Sequence, residues 1–129
     1  MSFVLVEDNY DRIIPLLMAK GLGFSTSPEY QDLIGTAADL AGVLSSAFTA
    51  YIGRRNKEGV DDTTMQRLAE PLNELAAWND YRVRDLLRDE VFERLENDGQ
   101  LMIVSKFGSE ALRALLHEWQ TVGDTDCQR

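Results

Sequence analysis

Between Leu33 and Ile52 the chain is apolar nearly all the way round a helix: Leu33, Ile34, Ala37, Leu40, Ala41, Val43, Leu44, Ala47, Phe48, Tyr51 and Ile52. A helix without a polar side belongs inside a protein, so this run predicts a buried central helix with the rest of the chain packed around it. A membrane span is the other home for such a segment. Asp39 in its middle, the small size of its residues and the dilution by Ser45, Ser46 and Thr49 all argue against that. Ser27-Pro28-Glu29 supplies a start, a capping hydroxyl followed by proline at the first helical position. The helix would then continue to about Asn56. Gly35 and Gly42 either let neighbours approach closely or break the stretch into two helices.

Four further helices follow from apolar spacing and punctuation. One runs from about Asn9 to Lys20, with Asp8 as N-cap, Ile13, Leu16, Leu17 and Tyr10 as its stripe, and Gly21 and Gly23 as its stop. Pro15 falls late enough in it to kink it. Another starts after Asp61-Asp62 and reaches about Trp78. At 100° per residue its Met65, Leu68, Leu72, Leu75 and Ala76 share one arc, while Gln66, Glu70, Asn73 and Glu74 join Asp62 on the other. Pro71 removes a hydrogen bond there and is a candidate break. Asn79-Asp80 forms a tight turn, and Asp80 caps a helix from Tyr81 to about Asn97 that Gly99 stops. The close connection predicts an antiparallel hairpin. Leu101 to Val104 reads as a short apolar connector, either extended or the last turn of that helix. The final helix runs from about Ser109 to Val122, with Leu112, Leu115, Leu116, Trp119 and Val122 on one face and Gly123 as its end.

The expected fold is therefore all-α, a compact bundle or short stack of antiparallel helical hairpins with about five to six helices. A single domain over 1–122 would carry a polar tail over 123–129. A length of 129 residues suits one hydrophobic core, and 44% hydrophobic with 27% charged residues excludes wholesale disorder. No internal repeat or low-complexity linker divides the chain. Cys127 is its sole cysteine, so no intramolecular disulfide can form, which fits a reducing cytoplasm. Phe3 to Val6 precede Glu7 and Asp8 without a basic n-region, so no signal peptide is expected.

Charge narrows the partners. Acids outnumber bases 22 to 13, for a net charge of −9. A nucleic-acid face needs excess Lys and Arg to displace counterions, and an anionic lipid surface repels such a chain. Neither partner is expected. The acids are also patterned. Asp85, Asp89, Glu93 and Glu96 fall at i, i+4, i+8 and i+11, one ridge about 80° wide on an ideal helix. Val83, Leu87, Val91 and Leu95 lie opposite and face the core. Like charges four apart weaken a helix by a few tenths of a kcal/mol per pair, so the ridge brings no local benefit. Asp62, Glu70 and Glu74 could be presented beside it by the hairpin. Such a face either is simply solvated or docks a basic protein, speeding encounter and adding selectivity. A row of carboxylates along a helix diverges and lacks the loop geometry of a calcium site, so no metal is expected.

The chemistry of catalysis is missing. His117 is the only histidine and falls on the polar arc of the last helix beside Glu110 and Arg113, which excludes a two-histidine metal motif. Gly21-Leu22-Gly23 lacks the Gly-Lys-Ser/Thr ending of a phosphate loop. Arg54-Arg55-Asn56-Lys57 sits at a helix C-terminus, where cations offset the macrodipole. Asp80 and Arg84 are spaced for an i, i+4 pair at the rim of the core. No cofactor and no enzyme activity are expected.

One stretch resembles a known family. Leu72-Asn73-Glu74-Leu75-Ala76, Asn79 to Leu87 and the Val91-Phe92-Glu93-Arg94-Leu95-Glu96-Asn97 run resemble a helical hairpin of small bacterial immunity proteins from polymorphic-toxin, contact-dependent and type VI secretion systems. Phe107-Gly108-Ser109-Glu110 is similar to their Leu-Gly-Pro-like entry into the last helix, without the proline. The resemblance covers about the last half of the chain. It implies a cytoplasmic antidote that binds a toxin domain and occludes its active site, with an acidic face suited to a basic toxin such as a nuclease. The partner-binding residues would be Asp62, Glu70, Glu74, Asp85, Asp89, Glu93 and Glu96. The alternative is a structural or adaptor protein, a phage or secretion-system component acting by self-assembly.

Overall fold

The computed structural model describes residues 9–36 and 40–127, and every described element is helical or a turn. The helices are α1 (Ile13–Lys20), α2 (Pro28–Gln31), α3 (Ala41–Lys57), α4 (Asp62–Ala77), α5 (Tyr81–Leu86), α6 (Glu93–Asn97), α7 (Met102–Phe107) and α8 (Glu110–Cys127). A 3₁₀ turn, Asn9–Arg12, leads into α1, and a π-turn, Leu87–Phe92, joins α5 to α6 without interruption. The fold is all-α, as the sequence predicts.

α3 is the central helix. It packs against α1, α2, α4, the π-turn and α6, while α4 carries α7 and α8 on its other flank. Leu44, Phe48, Tyr51 and Ile52 of α3 are buried with Met65, Leu68, Leu72 and Leu75 of α4, and the full predicted α4 stripe is inside. No described helix is long and apolar enough to cross a membrane. Not every apolar residue of the central run is covered: Ile34 and Leu40 are exposed and Val43 partly so.

The stretch from Ser27 to Lys57 is two helices. Ser27 caps the first, its Oγ accepting the Tyr30 N–H at 3.2 Å with Pro28 next in line. The chain then turns through Leu33–Thr36, where Gly35 has φ +86°, a left-handed conformation that ends a helix cheaply only for glycine. Asp39, weighed against a membrane span, and Asp8, the expected first cap, lie outside the described residues. Pro15 does not kink α1, because the α-helix proper begins only at Ile13 and proline in a first turn gives up no intrahelical N–H bond. Pro71 is accommodated inside a continuous α4, buried against the core.

Two connections differ from the sequence reading. Met102 to Val104 open a separate helix, α7, with Leu101 just before it, and that helix buries Ile103, Val104 and Phe107. α8 continues through Gly123 to Cys127, since a glycine inside a helix costs it only about 1 kcal/mol and does not by itself end it.

The small residues of α3 set how closely its neighbour can approach. Gly42, Ser45, Thr49 and Gly53 recur at i, i+3, i+7 and i+11, one face of the helix. A Cβ on Gly42 would stand 3.6 Å from Glu90, and one on Gly53 would stand 3.4 Å from Gln100. The π-turn and α6 lie along this face. The Tyr81–Asn97 segment packs along α3 through the π-turn and α6, and it also touches α4 through α5 and the π-turn.

Candidate functional site

The π-turn decides where the acids of the Tyr81–Asn97 segment point. Its backbone bonds reach five residues back, as in Glu93 N–H to Arg88 O, so residues five apart line up. Leu86 with Val91 and Leu87 with Phe92 are such pairs, and all four are buried. Val83, Leu87, Val91 and Leu95 face the core as the α-helical spacing predicts, but Leu86 and Phe92 join them. On the outer side the same geometry brings Asp85 into register with Glu90.

Asp85, Asp89 and Glu90 line one hollow with Tyr10, Gly42, Arg82 and Leu86, a space of about 340 Å³. Asp85, Asp89, Glu93 and Glu96 are exposed and Glu90 is half-buried. Arg82 stacks over Tyr10, its guanidinium carbon 5.7 Å from the ring centroid, and fixes one wall. Asp85 is partly neutralised by Arg88 at 3.5 Å, which also pairs with Glu118 of α8. The side-chain carboxylates of Asp89, Glu90, Glu93 and Glu96 have no hydrogen bond or ion pair with any described residue.

The α4 acids lie elsewhere. Asp62 pairs with Lys106 at 3.2 Å and lines a hollow with Thr63, Gln66, Arg67 and Phe107. Glu74 pairs with Lys20 at 3.2 Å, and it shares a third hollow with Glu70, Asn73, Ala77, Ser109 and Glu110. α7 and the start of α8 border these hollows, so the two acidic sets line separate surfaces rather than one. Asn73 is not on the solvent side at all. It is buried, with Nδ2 donating to Phe107 O at 3.2 Å and Oδ1 accepting the Ser109 N–H at 2.7 Å.

Other candidates resolve into structure. Asp80 caps α5, its Oδ1 accepting the Arg82 N–H at 2.9 Å and standing 4.0 Å from Arg82 Nε. Its side chain thus turns to Arg82, and Arg84 supplies only a backbone N–H to the Asp80 carbonyl. An Asx-type bond to the second residue on is shorter-range than the expected i, i+4 pair and satisfies a free helix N–H at once. At the end of α3, Arg54 takes both oxygens of Glu29 on its fork, Nε at 2.7 Å and Nη2 at 3.1 Å, and gives Nη1 to Glu58 at 2.5 Å. Arg55 stands 3.3 Å from Glu58. Burial pushes the Glu29 carboxyl up, but the hydrogen bonds and charge of Arg54 outweigh it and hold the group below its ordinary value. Hydrogen bonding to Glu29 raises Arg54 in turn. The Thr64 N–H, 2.8 Å from Oδ1, lowers Asp61, the cap of α4. His117 is exposed on α8. Among the described residues no three His, Cys, Asp or Glu side chains come together in a way that could hold a metal ion.

Gly42 admits a close neighbour, one of the two roles its sequence position suggests, but spacing at 100° per residue overlooks that the neighbour is Glu90. The signal that could have found Glu90 is the pair of apolar doublets five apart, Leu86-Leu87 and Val91-Phe92, which fits a π-turn better than an α-turn. Comparison of the chain with protein-family models, with curated proteins and with solved structures gives no match.

Proposed function

We propose that this protein is a non-catalytic binding module that docks a basic protein domain, in the manner of a cytoplasmic bacterial immunity protein occluding the active site of a toxin. The observation that carries the reading is the pairing state of the acids. Glu29, Glu58, Glu74, Asp62, Asp85, Asp98 and Glu118 each have a cation of the chain nearby; Asp11, Asp32, Glu70 and Glu110 have none among the described residues but stand singly on other elements, whereas Asp89, Glu90, Glu93 and Glu96 are four such unpaired acids on one continuous segment. Unpaired carboxylates side by side are left ready for an external cation and raise the encounter rate with a basic partner. The hollow beside Gly42, with Tyr10 and Leu86 in its wall, offers apolar surface next to that charge, the mixture from which docking energy arises. Asp62 and Glu74, paired and set on other surfaces, drop out of the docking face, and Glu90 enters it.

Co-expression tests the reading. The reading demands that the gene lie directly downstream of a larger one with a variable C-terminal toxin domain, and that the protein rescue cells from that domain and co-purify with it. No rescue and no complex would end the proposal. A second reading, self-assembly as a structural or adaptor protein, draws on the exposed Ile34, Leu40 and Val43 near one another in sequence. Sedimentation or light scattering separates the two, because self-assembly requires a mass above 14.6 kDa at working concentration.

A further inference from the structure

We draw no further inference here: the strongest candidate, the hollow between α3 and the π-turn walled by Gly42, Asp89 and Glu90, belongs to the site already described and beyond it is an acidic cluster with nothing in the structure to name a ligand.

Discussion

The side-chain amide of Asn73 joins two helices that the chain separates from it by more than thirty residues: it donates to the Phe107 carbonyl at the end of α7 and accepts the Ser109 N–H at the start of α8. Both are main-chain groups that a helix end leaves without an internal partner. Replacing Asn73 by Leu takes the acceptor from the half-buried Ser109 N–H, while the Phe107 carbonyl keeps its bond from Gln66 Nε2 at 3.0 Å, so the cost is about 1–2 kcal/mol. The expected thermal shift is a fall in Tm on the order of 5 °C. Asn73→Asp keeps the acceptor for Ser109 but sets a carboxylate against the Phe107 carbonyl, so it should not restore wild-type stability. A Leu variant that melts with wild type would refute the role given to this amide.

Acid should loosen the fold in a defined window. Glu29 and Asp61 are both held below their ordinary values of 4.5 and 3.8. A carboxyl whose folded pKa is depressed contributes its stability above the unfolded value and loses it as pH falls through the folded one. Urea midpoints should therefore be level near neutrality and fall below about pH 4.5. Glu29→Gln should lower stability at pH 7 by about 1 kcal/mol, since the Arg54 pair is only partly buried. It should also flatten the acid slope. An unchanged slope in that variant would show that Arg54 does not hold α2 through Glu29.

Two glycines with similar backbone angles should respond differently to alanine. Gly35, at φ +86°, has open space where a Cβ would go, so Gly35→Ala carries only conformational strain, about 1 kcal/mol. Gly23, at φ +76°, would place a Cβ 2.7 Å from the Tyr51 hydroxyl, which donates to the Leu22 carbonyl. Gly23→Ala must displace that bond besides adopting the strained angle, and should cost about 2 kcal/mol or more. Chemical denaturation of the two variants side by side measures the difference. Equal losses would mean that Tyr51 yields freely.

For the docking proposal, charge reversal separates the two acidic surfaces. Asp89→Lys and Glu93→Lys should weaken the complex with the basic domain, and more at low salt, where the Debye length is long. Asp62→Lys and Glu74→Lys change the net charge equally but lie on other hollows, so isothermal titration should find them close to wild type. If all four weaken binding alike, only net charge matters and the segment from Asp85 to Glu96 has no special part.

Local chemistry was readable without coordinates wherever a feature depends on residues a few positions apart. Ser27 with Pro28, Asp80 before Tyr81 and the Met65–Ala76 stripe each appear where spacing places them, because caps and amphipathic arcs are short-range. Asn73 was misread because its partners arrive from α7 and α8, and no periodicity within α4 announces them. The α7 helix was misread for a related reason: it lacks a side-chain cap and its six residues owe their helical state to the core that Ile103, Val104 and Phe107 enter. The acidic row was recognisable, its composition beside Gly42 was not, since a π-turn rotates Glu90 into a register that α-helical steps assign to a different side.

Because a π-turn takes five residues where an α-turn takes four, the Leu87–Phe92 stretch holds slack in chain length. A descendant lacking one residue there could run α-helical from Tyr81 to the end, with Val83 and Leu95 still seated in the core. Asp85 and Glu90 would then fall out of line while Glu93 and Glu96 kept their places. Length variation at this one spot would redraw the carboxylate pattern beside Gly42 and leave the bundle standing, a way for the surface to diversify independently of the fold.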